Sequence, residues 1–195
     1  MQDPRVDVSA LSFPATLTTP RLRLVALGPA FLDDVMLGLA DAETLRLTGT
    51  TATFTREAVA AHLAAVGARE DRADWAILDA DAGDYLGEIV LNELDDENAA
   101  MNFRIALLPG RPGRGYGTEA TSAVLDHAFT SIGLHRVSLD VFSFNPRAVR
   151  SYEKAGFRHE GRQRHTLFWD GEWVDSLLMG VLSTDERPTS EPPTP

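Results

Sequence analysis

Between residues 110 and 117 the chain runs Gly110-Arg111-Pro112-Gly113-Arg114-Gly115-Tyr116-Gly117, and a helical pattern follows at once. Glycines at 113, 115 and 117 let backbone N–H groups converge without Cβ obstruction. The helix that follows supplies unpaired N–H groups and the positive end of its dipole. Together they predict an anion cradle suited to phosphate. Two familiar phosphate loops are excluded. No Gly-Lys-Ser/Thr is present, as a Walker loop requires. Gly113 and Gly115 would open a dinucleotide fingerprint, but the position of its third glycine holds Thr118.

The segments around the loop set the fold class. Arg21-Leu22-Arg23-Leu24-Val25 alternates like a strand, Pro29 opens a helical stretch to Ala40, and Thr55 N-caps a helix through Val59, Leu63 and Val66. The runs 75–78, 85–94 and 99–108, joined by short polar turns, predict an antiparallel meander. After the loop comes a helix carrying Ala120, Ala123, Val124, Ala128 and Phe129, with Gly133 as its C-cap and a strand at 136–142. That succession predicts a right-handed crossover and a parallel pair. A short helix, 148–155, ends at Gly156, and two last strands flank the hairpin turn Asp170-Gly171. The class is α+β: a central mixed, mostly antiparallel twisted sheet of about seven strands with helices on both faces.

Two motifs carry a resemblance. Pro109, Gly115 and Gly117 fit a strand-ending Pro followed by Gln/Arg-x-x-Gly-x-Gly/Ala, with Pro112 in the Gln/Arg slot, where it removes an amide donor. Asn145-Pro146-Arg147-Ala148-Val149-Arg150-Ser151-Tyr152-Glu153-Lys154-Ala155-Gly156-Phe157 fits Asn-x-x-Ala/Ser-x-x-x-Tyr/Leu-Glu-Lys-x-Gly-Phe. Residues 15–183 thereby resemble one domain of the GNAT N-acetyltransferase superfamily. Phe103-Arg104-Ile105-Ala106-Leu107, Gly133-Leu134-His135-Arg136-Val137 and Asp170-Gly171 are similar to its RimJ/RimL-like branch of ribosomal-protein N-terminal acetyltransferases.

The resemblance implies acetyl-CoA as co-substrate and direct attack of a primary amine on its thioester. The acceptor would be a protein N-terminus, a lysine or a small-molecule amine. It also implies that the loop Gly113 to Thr118 (with Arg114, Gly115, Tyr116 and Gly117) holds the pyrophosphate, aided by Arg111 or Arg114. Backbone groups of Leu107 and Leu108 would pair with pantetheine and polarise the acetyl carbonyl. Asn145 would cap its helix or bond the pantetheine arm, and Tyr152 would protonate the departing thiolate. Glu88 is the first candidate base and Glu93 a weaker one; Asn102 occupies a place where relatives carry a carboxylate. That vacancy and Pro112 support the alternative of a non-catalytic CoA-binding sensor or interaction module.

Composition narrows the partners. The 29 acidic against 18 basic side chains give a net charge of −11, a field that repels nucleic acid and anionic membrane and attracts cations. There is no cysteine, so thiolate zinc sites and a Cys nucleophile are excluded. The histidines at 62, 127, 135, 159 and 165 show no metal-ligand spacing, and no metal is expected. Trp169 and Trp173 fit cross-strand packing better than an acceptor wall. The chain reads as a soluble, cytoplasmic protein with no membrane span, and the branch resemblance implies a homodimer. Residues 1–14 lack periodicity and 184–195 are polar and Pro-rich, so both ends are expected to be loose.

Overall fold

The computed structural model describes residues 6–111 and 113–188; Pro112 and the terminal segments 1–5 and 189–195 lie outside the described residues. Eight strands form one sheet in the order β1-β2-β3-β4-β5-β6-β8-β7. They are β1 (Leu17–Thr18), β2 (Leu22–Ala26), β3 (Ala73–Asp79), β4 (Tyr85–Asp95), β5 (Ala100–Leu107), β6 (Arg136–Phe142), β7 (Arg158–Trp169) and β8 (Glu172–Leu182). The two-residue β1, too short to show alternation, raises the count from the expected seven. All pairs are antiparallel except β5 with β6, the pair joined by the crossover. Asp170 and Gly171 both take positive φ (49° and 82°), the turn that a two-residue hairpin demands.

Helices cover both faces. On one lie α1 (Leu32–Leu39), α2 (Ala42–Thr48) and α3 (Arg56–Val66), and on the other α4 (Tyr116–His127) and α5 (Pro146–Ala155). Val59 and Leu63 of α3 meet Ala76, Leu78 and Tyr85. On the opposite side Ala120, Val124 and Leu125 of α4 pack on Trp75, Ile77, Ile89 and Leu91. Burying each of the valine, leucine and isoleucine side chains among these contributes roughly 1.5–3 kcal/mol. A π-helical turn, Ala128–Ile132, extends α4 to Gly133, whose φ of 82° ends it.

The ends are better anchored than expected where they are described. Leu11 is 1% exposed in the main core, the Asp7 N–H donates to the Ile132 carbonyl, and the Trp75 indole donates to the Ala15 carbonyl. One core leucine fixes an aperiodic segment. Arg187 pairs with Asp126 at 2.7 Å and lies over the Phe129 ring. Among the described residues no helix is long and apolar enough to cross a membrane.

Candidate active site

β5 and β6 part company. Their parallel pairing covers only Ala100–Asn102 against Arg136–Ser138, yet β5 runs on to Leu107 and β6 to Phe142. On its other side β5 stays paired with β4, from Asn92↔Asn102 to Gly87↔Leu107. The Leu108 N–H continues that ladder, donating to the Leu86 carbonyl at 2.8 Å. Antiparallel backbone groups alternate in direction, so Phe103, Ile105 and Leu107 turn theirs toward the gap. The expectation for Leu108 is therefore corrected. Its N–H bonds Leu86 and its carbonyl accepts from the Arg111 N–H, which leaves Leu107 and Ile105 to meet a ligand.

The gap opens into a cleft of about 470 Å³ between β5, β6, α4 and α5. Leu107, Gly113, Gly115, Gly117, Thr118, Asn145 and Tyr152 all line it, so the structure gathers these separate expectations in one place. α2, α3 and α5 are each closed by a capping side chain, from Asp41, Thr55 and Asn145. α4 opens instead on Gly115, at φ 83°, which has no side chain to cap with. The first amide in α4 to find its helical partner is that of Glu119, bonding the Gly115 carbonyl. The earlier N–H groups stay available for an anion. At Gly117 a Cβ would sit in ordinary contact with Ser151 Oγ at 3.5 Å and the Leu107 side chain at 3.6 Å, so the start of α4 lies close against α5 and the end of β5.

Cations edge this cleft in an otherwise acidic chain. Arg147, Arg150 and Lys154, at helical spacing on α5, all line it. Three other expected residues lie outside the lining. Arg111 pairs with Asp84 at 3.4 Å rather than turning to the loop. Arg114 offers its carbonyl to Arg21 Nη1 at 2.9 Å, and Tyr116 lies beneath the Arg21 guanidinium, 5.0 Å from the ring centroid. Loop and helix are thus fastened from behind by Arg21, which also pairs with Glu119 at 2.6 Å.

Tyr152 is 8% exposed, its ring edge-on to Phe103 and Phe157 at 6.1 and 5.8 Å. Burial, and then the nearby Asp140 carboxylate, push its phenol well above the ordinary range. It stays neutral and can donate a hydrogen bond into the cleft. Asn145 does cap α5, its Oδ1 accepting the Ala148 N–H at 3.1 Å.

A second cavity of about 510 Å³ lies on the α1–α3 face. It meets the cleft at Arg104, Ile105, Ala106 and Leu107 of β5, and at Thr44 and Thr48 of α2. Glu88 lines it. Register pairs Glu88 with Ala76 on one side and Ala106 on the other, so its side chain stands on this face beside the junction. Burial, then the Asp74 carboxylate, raise its pKa, while Arg104 and Arg72 partly oppose the shift. Gly87 makes room for the ladder: at φ 153°, a Cβ would lie 2.1 Å from the Ala106 carbonyl oxygen. Glu93, at φ 56°, lines the cleft instead, and Asn102 donates to Asn92 Oδ1 at 3.0 Å.

Sequence reasoning passed over α2, although Asp41 caps it by accepting the Thr44 N–H at 2.7 Å and Gly49 ends it at φ 64°. An Asp and a Gly bracketing seven residues was the available signal. Arg104, Asp74 and Arg72 were missed because only strand register brings them to Glu88. Trp173 pairs with Phe168 at the exposed hairpin tip, away from both cavities. Among the described residues no group of three or more His, Asp or Glu could hold a metal ion.

The acetyltransferase (GNAT) domain family matches residues 21–158, well over half of the chain. The chain belongs to that family, whose members use acetyl-CoA. Among curated proteins it is similar to the spermidine N(1)-acetyltransferase of Vibrio cholerae, 31% identical over 106 residues, covering 54% of this chain and 61% of that one. The Escherichia coli spermidine N(1)-acetyltransferase is 30% identical over 100 residues, covering 51% and 54%. The chain thus spans less than two thirds of the length of either. The Vibrio cholerae spermidine N-acetyltransferase, solved in complex with CoA and spermine, superposes with a TM-score of 0.78 at 23% identity, over 86% of this chain and 98% of that one. A GNAT-family acetyltransferase from Bacillus anthracis superposes with a TM-score of 0.76 at 21% identity, over 88% and 100%. These two likenesses bear on the fold, and the two curated relatives are named as spermidine acetyltransferases rather than ribosomal-protein ones.

Proposed function

We propose that this protein is an acetyl-CoA-dependent N-acetyltransferase that acts on a primary amine by direct attack. One observation carries the reading: the opened edge of β5 ends at the uncapped start of α4, beside a second cavity that holds the half-buried carboxylate of Glu88. Amides at the start of α4 hold the pyrophosphate, with Arg147, Arg150 and Lys154 adding charge. Pantetheine continues the sheet along Leu107 and Ile105, whose N–H groups polarise the acetyl carbonyl.

The acceptor nitrogen enters from the second cavity and attacks the carbonyl carbon. A C–N bond forms, the C–S bond breaks, and the amine proton passes to Glu88 directly or through water. CoA leaves as thiolate. A thiol pKa near ~8.5 makes it a fair leaving group, so a hydrogen bond from Tyr152 suffices. The presence of Glu88 at the junction favours an enzyme over a CoA sensor despite Asn102. The relatives' names support an amine acceptor. Within the family, a polyamine, a protein N-terminus (the RimJ/RimL-like substrate) and another small-molecule amine are the finer alternatives.

Free-thiol release from acetyl-CoA, followed across amines and N-terminal peptides, tests the reading. Release with an N-acetyl product supports it; binding of acetyl-CoA without release on any amine returns the protein to the sensor class.

A further inference from the structure

Arg104 has an unusual place. It stands at the mouth where cleft and cavity join, exposed, and lines both. Among the described residues its side chain makes no ion pair and no hydrogen bond, although Arg72 in the same cavity is held by Asp74 through two bonds of 2.6 and 2.7 Å. Register pairs it with Val90, so Arg104 and Glu88 are diagonal neighbours on one sheet face. An unpaired guanidinium repels an acceptor whose charge is all positive, and it suits a carboxylate, which it grips with two N–H donors.

Cofactor binding does not explain it. Arg104 is three residues before Leu107, whose side chain lies beside Gly117 of the phosphate loop, which puts it roughly 10 Å along the strand from that loop. Its side chain shares the Glu88 face, whereas Phe103 and Ile105 pack toward the main core. The rest of the wall is mostly apolar, with Leu27, Val35, Leu39, Phe54 and Leu63, beside Asp34 and the Asp74 that Arg72 already holds. Its volume of about 510 Å³ is of small-molecule size.

Resting on the acetyltransferase reading, we infer that the acceptor is a small amino acid with an apolar side chain, its amine directed to Glu88 and its carboxylate held by Arg104. This sets the chain apart from its polyamine-acetylating relatives, because a polycation would meet Arg104 with no anion to offer.

The test pairs acceptors that differ only in the carboxylate: phenylalanine against phenethylamine and leucine against isopentylamine, with spermidine alongside. Calorimetric binding to the CoA-saturated protein and thiol release are both read. The wild type should favour the carboxylated member of each pair in both, and R104Q should cut the ratio on the order of a hundredfold, with R104K restoring part of it. Ratios near one, ratios that R104Q leaves unmoved, or a preference for spermidine would overturn the inference. The binding ratio decides this even if no amine releases thiol, a result that would instead remove the transferase reading.

Discussion

Arg21 and Glu119, far apart in sequence, are locked together: the guanidinium meets Oε2 through Nη2 at 2.6 Å and Nε at 2.7 Å. The Arg21 N–H and the Thr19 hydroxyl both donate to Oε1. Because Arg21 also bonds the Arg114 carbonyl, the turn leading into β2 sets the pose of the phosphate loop without facing the cleft. R21Q should raise the KM for acetyl-CoA about tenfold with kcat little changed, since it loosens the cradle and leaves the reacting atoms alone. Steady-state kinetics at varied acetyl-CoA and saturating acceptor checks this.

Glu88 predicts a pH limb. Its raised pKa means that the base is still protonated at pH values where an ordinary carboxylate is ionised, so the rate climbs with pH through a range above that of free glutamate. E88Q should lose on the order of a hundredfold in kcat and lose that limb. Acceptors of different basicity separate it from titration of the amine. Stability moves the other way. Folding raises the pKa of this acid, so wild-type stability falls as pH rises between the unfolded and folded values. E88Q removes that fall, and chemical denaturation at several pH values measures it.

Tyr152 combines packing with chemistry, and two substitutions divide the roles. Y152F keeps the ring against Phe103 and Phe157 and should cost about tenfold in kcat with little loss of stability. Y152A leaves a cavity in the core and should cost about 3–5 kcal/mol, read by denaturant unfolding.

Gly87 is where the sheet has no spare room. A methyl group there would strike the Ala106 carbonyl at a φ open mainly to glycine. G87A should destabilise the protein by about 2–4 kcal/mol and displace Glu88 from its register, so activity falls even in the folded fraction. Melting curves and rates on the same preparation show both effects.

Local signals made much of this legible. The glycine loop, the Asn145 cap, the Thr55 cap and the Asp170-Gly171 turn each depend on a few adjacent residues, and each stands where the sequence predicts. What escaped depends on register. Nothing in the local sequence tells that the Leu108 amide turns to Leu86 while that of Leu107 turns to the cleft, or that Arg104 and Glu88 share a face. Leu11 escaped for a related reason: a single buried leucine in an aperiodic segment carries no pattern.

The most direct measurement is a calorimetric titration of acetyl-CoA into the full chain, with ATP and NAD as competitors. Saturation at one acetyl-CoA per chain, displaced by CoA and untouched by either nucleotide, is the expected result. No heat of binding, or displacement by ATP or NAD, would contradict the assignment of the β5–β6 cleft and the start of α4 to coenzyme A.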